Sequence, residues 1–171
     1  MKTRMLLTHL SFTQLLLITF LPFASADLVN DTCKNTPDPD FCFTALSPDP
    51  RSSAADAKTL GIIMVEKVDQ IAKATLAGIG SLLGQSPDPR TKQALTSCEK
   101  SHEIITTSVA PTKESSTEGG YKFAEVSMSG AATSVSRCEA DFGGSKLPIS
   151  GLNDFEHKAA MVASAIAGSL R

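Results

Sequence analysis

Residues 53–83, SAADAKTLGIIMVEKVDQIAKATLAGIGSLL, contain no proline, and within them Leu60, Met64, Val68, Ile71, Thr75, Ile79 and Leu82 recur at steps of four and three. Steps of that size return a side chain to one face of a 3.6-residue turn, so the stretch predicts one long amphipathic helix. Gly84 and the Ser86-Pro87-Asp88-Pro89 turn stop it. The same rhythm returns three more times. Leu95, Cys98, His102, Ile105 and Val109 predict a second helix ending at Pro111, with a polar loop or frayed end from Thr112 to Gly120. Ala124, Met128, Ala131, Val135, Cys138 and Phe142 predict a third, closed by Gly143-Gly144. Leu152, Phe155, Ala159, Val162, Ile166 and Leu170 predict a fourth, after a connection held by Pro148 and Gly151. No period-two run competes with these seams. Four seams on short connections must be buried against one another, which favours an all-α, up-down-up-down antiparallel four-helix bundle over residues 53–171.

Ahead of the bundle, residues 27–50 are punctuated by Pro37, Pro39, Pro48 and Pro50 and have room for only one or two brief helices. Asp38, Asp40 and Asp49 alternate with those prolines and read as turn formers rather than metal ligands. Residues 1–26 have a basic start (Lys2, Arg4), an apolar run from Leu15 to Phe23 and a small-residue end at Ala24-Ser25-Ala26. That is the layout of a signal peptide cut before Asp27, leaving residues 27–171 as one exported domain. No later stretch is apolar enough to span a membrane. Cutting the leader removes two of the 16 basic residues and none of the 18 acidic ones, so the exported chain is more negative than the −2 of the whole.

An exported chain oxidises its thiols, so its four cysteines read as staples rather than nucleophiles or metal ligands. Three pairings are possible. Cys33 and Cys42 enclose a short proline-containing loop, while Cys98 and Cys138 sit on the seams of the second and third helices, which are neighbours in the bundle. Cys33 with Cys42 and Cys98 with Cys138 is therefore the expected set, the first closing an N-terminal hairpin over residues 27–50.

Little points to catalysis, a cofactor or a metal. His102 falls on a seam and reads as a core residue; His102-Glu103-Ile104-Ile105-Thr106 lacks the second histidine of a zinc protease helix. His157, beside Glu156 and Lys158, is placed facing solvent. Serines and threonines are plentiful but lie in no Gly-x-Ser-x-Gly elbow. No basic stripe runs along a helix, which removes nucleic acid as a partner. Asn30-Asp31-Thr32 is a candidate glycosylation sequon near the mature N-terminus.

Cys33-Lys-Asn-Thr36, then Pro39-Asp-Phe-Cys42, Leu46 and Asp49-Pro-Arg51, resemble the opening of the plant invertase and pectin methylesterase inhibitor family. Cys98 and the run from Phe123-Ala-Glu-Val-Ser-Met-Ser-Gly-Ala-Ala to Cys138-Glu-Ala-Asp-Phe142 resemble its middle helices. The resemblance spans the mature chain and implies a four-helix bundle behind a helical hairpin, with the first cysteine joined to the second and the third to the fourth. It also implies a secreted inhibitor, of the cell wall (apoplast) or vacuole, that blocks either acid invertase or pectin methylesterase. The invertase-inhibitor branch carries Pro-Lys-Phe at the start of its third bundle helix; the matching residues here are Tyr121, Lys122 and Phe123, followed by Ala124-Glu125 as in that branch. Tyrosine for proline is a departure, because proline would fix the backbone where the motif projects.

Lys122 and Phe123 suit a plug. A retaining glycosidase holds two carboxyl groups in its pocket; a lysine inserted there pairs with their charge while its aromatic neighbour covers apolar surface. The plainer alternative makes Phe123 the first core residue of its helix and Lys122 a solvated charge. An acid invertase inhibitor is the leading expectation and a pectin methylesterase inhibitor the second. A third is a helical carrier holding an apolar ligand between the Ala- and Gly-rich seams of the last two helices.

Overall fold

The computed structural model describes residues 28–85, 87–143 and 147–171; the leader, Asp27, Ser86 and residues 144–146 lie outside them. Residues 28–33 form a short helix, α1, and Pro39–Leu46 forms α2. A 3-10 turn at Pro50–Ala54 follows. The bundle is α3 (Ala57–Gly84), α4 (Pro89–Thr117), α5 (Tyr121–Asp141) and α6 (Ser150–Ser169). The Asp-Pro pairs are helix starts as well as turns. Asp38 accepts from the Phe41 amide, Asp49 from Arg51 and Asp88 from Arg90 and Thr91, each with proline at the first helical position. An aspartate there satisfies orphan amides, and a proline gives up an amide that has no partner anyway.

In the bundle α3 packs on α4, α4 on α5, α5 on α6 and α6 back on α3, and α2 lies against α3 and α6. The closed ring of neighbours is the architecture expected from the four seams. α3 is its spine: Leu60, Ile63, Met64, Val65, Val68, Ala72 and Ile79 are all buried. Burial of each large aliphatic is worth about 1.5–3 kcal/mol, far more than helix propensity contributes, so the seam rather than the backbone sets this helix in place. α5 and α6 pack closely, and Ala131 and Ala132 on α5 with Ala159, Ala160 and Ala163 on α6 are buried side chains small enough for close helix approach. Phe41 of α2 meets Phe155 of α6 edge to face at 4.8 Å, seating the hairpin on the bundle.

Four expectations need correcting. The first long helix begins at Ala57, capped by Asp56 through the Thr59 amide, and not at Ser53, because Asp56 offers the better cap. The second does not stop at Pro111 but continues to Thr117. Its buried face goes on through Val109, Thr112 and Ser116, whose hydroxyls are satisfied by Ser108 O and Thr112 O of the same helix. Lys113 pairs with Glu66 of α3 beyond the proline. The start of the last helix turns one position from the apolar seam: Phe155 is 42% exposed, while Asn153 and Glu156 are fully buried. His157 is half-buried rather than solvated, its Nδ1 lying 3.1 Å from Ala132 O and 3.2 Å from Ser136 Oγ of α5.

Candidate functional site

The α4–α5 corner is built from two glycines and one serine. Gly119 has φ of +88°, a left-handed conformation that a side chain resists. The Gly120 amide donates to Ser115 O at 2.7 Å, and Ser115 Oγ donates back to Gly120 O at 2.9 Å. A Cβ on Gly120 would lie 2.2 Å from Ser115 Oγ, so the clasp closes only over glycine. Tyr121 then occupies the first helical position.

Behind that corner α5 starts with no side-chain cap and no acidic residue in its first turn among the described residues. Its free amides give this end a partial positive charge, and Lys122 adds a full one, against the usual preference for anions there. Lys122 Nζ rests 3.2 Å from Glu125 Oε2, with the lysine side chain two-thirds exposed, and Arg171 Nη2 reaches the same carboxylate at 3.2 Å. Ser164 Oγ holds the Glu125 carbonyl at 2.9 Å, fixing this first turn to α6. Phe123 is 53% exposed; the core stripe of α5 begins one residue later, at Ala124. Val126 (57%) and Ile104 (63%) are also exposed apolar side chains on α5 and α4. A cation and an aromatic thus stand out from a rigid corner, Tyr121 half-buried beside them.

The structure joins Cys33 to Cys42 with Cα atoms 5.5 Å apart, and Cys98 to Cys138 with Cα atoms 4.7 Å apart. Asn30 is exposed on α1. Among the described residues no cluster of three or more metal-ligating side chains occurs, and no helix is long and apolar enough to cross a membrane.

One polar cluster escaped the sequence reading. His102 of α4 and Glu156 of α6 are both fully buried, His102 Nε2 3.1 Å from Glu156 Oε2. His102 Nδ1 faces Cys98 O at 2.9 Å. Asn153 Nδ2 donates to Glu139 Oε1 of α5 and lies 3.4 Å from Cys138 Sγ; Glu139 Oε2 in turn accepts from Ser150 Oγ at 3.2 Å. Burial alone would lower the imidazole pKa, but the Glu156 carboxylate beside it, with the Cys98 carbonyl, outweighs it and holds His102 above its ordinary value. The only hint in the sequence was negative: an apolar seam drawn through Phe155 leaves Glu156 unexplained, and a shift of one residue puts Asn153, Glu156 and Ala160 in line.

The disulfide-stapled helical bundle thus sets an exposed lysine beside an exposed aromatic at its α4–α5 corner. The chain belongs to the plant invertase/pectin methylesterase inhibitor family, whose sequence profile matches residues 27–167. Over 144 residues it is 32% identical to cell wall / vacuolar inhibitor of fructosidase 1 of Arabidopsis thaliana, covering 84% of this chain and 69% of that one. It is 31% identical to a pectinesterase inhibitor of Actinidia deliciosa over 121 residues, covering 71% and 65%. With a putative invertase inhibitor of Platanus orientalis the identity is 33% over 124 residues, covering 69% and 73%. The fold matches that of mutant form A of a pectin methylesterase inhibitor from Arabidopsis with a TM-score of 0.71 at 21% identity, over 81% of this chain and 94% of the other. The family and these relatives are inhibitors of enzymes rather than enzymes.

Proposed function

We propose that residues 27–171 are a secreted, non-catalytic inhibitor that blocks an acid invertase by seating Tyr121, Lys122 and Phe123 in the pocket where sucrose is cleaved. The observation that carries this reading is the exposed Lys122-Phe123 pair on a backbone corner held by Ser115 and Gly120. An ammonium group delivered against the ionised nucleophile of such a pocket gains from its charge once water is excluded, and no bond need be made or broken. Lys122 gives up only an exposed contact to Glu125, worth at most about 1 kcal/mol, and Arg171 remains to balance that carboxylate. The names of the relatives from Arabidopsis thaliana and Platanus orientalis favour the same target. The leader directs the protein into the secretory path, toward wall or vacuole.

The test is sucrose hydrolysis by purified cell-wall and vacuolar invertases with the mature protein added. Inhibition at micromolar protein is expected, and Lys122→Ala should weaken it about 30-fold or more, the loss that removal of a central charged anchor brings. The helical circular dichroism of that variant should be unchanged. A pectin methylesterase target is the second reading, favoured by the Actinidia deliciosa relative. Slowed methanol release from pectin, with sucrose hydrolysis untouched, would put it first.

A further inference from the structure

We infer that His102 and Glu156 form a pH-sensitive clamp across the diagonal of the bundle, one that keeps a proton through folding and so makes the fold tightest in mildly acidic solution. The two residues belong to α4 and α6, which are not neighbours in the ring, and they meet in its interior at 3.1 Å with neither side chain exposed. The contact sits beside the Cys98–Cys138 disulfide: the carbonyl of Cys98 faces His102 Nδ1, and Asn153 lies against Cys138 Sγ.

The protonation follows from the partners. A carbonyl oxygen can only accept, so Nδ1 carries a hydrogen at every pH at which the fold persists. Nε2 faces a carboxylate oxygen, and neither oxygen of Glu156 has a well-aligned hydrogen-bond donor among the described residues. A bare Nε2 lone pair against an ionised, buried carboxylate would leave a charge with nothing to balance it, which proteins do not tolerate. One proton must therefore sit on the pair, whether as imidazolium with carboxylate or as imidazole with carboxylic acid. Among the described residues no other charge reaches in to relieve it. On α6, Asp154 is turned outward onto Lys158, and His157 is engaged with α5. On α5, Glu139 meets the cluster only through Asn153 and Ser150. The buried face of α3 carries no titratable group, its nearest polar member being Thr75, bonded to Ile71 O. On α4 itself the remaining buried side chains are apolar, hydroxyl or disulfide.

In the unfolded chain the imidazole takes up its second proton only below about pH 6.5. The folded pair keeps that proton above this value. Stability is therefore fully present below about pH 6.5, and above it the folding constant drops roughly tenfold per pH unit until the folded pair itself loses its proton. The raised pKa of His102 has the matching direction, with stability present below the unfolded value and lost as pH climbs through the folded one.

The experiment compares the mature protein with Glu156→Gln by denaturant unfolding from pH 5 to pH 8. Refolding in weak buffer near pH 7.5 then reads proton uptake. The amide introduced by Glu156→Gln can donate to a neutral Nε2 and needs no extra proton, so the variant should lose the alkaline slope while the original chain takes up about one proton per molecule folded. Equal slopes in both proteins, or no proton uptake by the original chain, would overturn the clamp. If Glu156→Gln does not fold, the uptake measurement decides alone. Neither readout involves a target enzyme, so the outcome is independent of the inhibitor assignment.

Discussion

Gly120 shows how much of this corner rests on one missing atom. A methyl there must displace the Ser115 hydroxyl that clasps the turn, and it also comes within 3.2 Å of Ser115 O. Gly120→Ala should cost about 1–3 kcal/mol, as overpacking does, visible as a lower denaturant midpoint. Adding Ser115→Ala should restore part of it, because the two sites share one contact and their effects cannot simply add. The Lys-Phe pair could be read in the sequence because its chemistry is local, a charge beside an aromatic at a helix start. The alternative that made Phe123 the first core residue fails because it precedes Ala124 by one residue, and a step of about 100° decides between core and solvent. The same step separates Phe155 from Glu156. There the apolar residue was the natural choice for the inside, and the buried partner that makes Glu156 tolerable, His102, lies far away in sequence on another helix.

Helix α4 is the element where local rules mislead most. Proline removes one amide and ordinarily ends a helix, yet this one carries on past Pro111 to Thr117. Its continuation is held from the side by Thr112 against Ser127 of α5 at 2.7 Å and by Lys113 on Glu66 of α3. A seam made of threonine and serine has the spacing of a core stripe but not its hydropathy, so apolar periodicity fades where the buried face does not. The Asp-Pro pairs were legible as turns, but that each also caps the helix it precedes came from the structure. Pro111→Ala should return the missing donor to the Thr107 carbonyl and stabilise the protein by about 1–3 kcal/mol, the upper figure being the full interior penalty of proline. Urea unfolding with an unchanged m-value would show it.

For the molecule as a whole, the four seams and their antiparallel order were readable because helical packing leaves few alternatives, whereas the polar interior depends on contacts between distant segments. A second such set ties the N-terminal segment to the bundle. Arg51 bridges Asp49 at 2.8 Å and Glu66 of α3 at 2.7 Å, and Glu66 also takes Lys113 of α4. The side-chain hydrogen bond from Arg51 is the chief reason Asp49 titrates down at about 2. Glu66 resists its own desolvation because Lys113 and Arg51 outweigh it, and it too is lowered. Carboxylates depressed in the fold contribute stability above their ordinary range and lose it as pH falls through the folded value. Arg51→Gln should therefore flatten the decline in melting temperature between about pH 4 and pH 2, leaving the alkaline side unchanged.

The α4–α5 pair is joined at one end by the Gly119-Gly120 turn and at the other by the Cys98–Cys138 bond, with a sequence separation of 40. Backbone and sulfur together make a closed covalent circuit with the Lys-Phe corner at its far tip. A protease that severs one peptide bond inside the circuit would open the ring without dividing the molecule, and both halves would stay strung on the same sulfurs. Among the hydrolases of a plant wall or vacuole, such a cut would pass unseen on a non-reducing gel and appear as two fragments only after reduction.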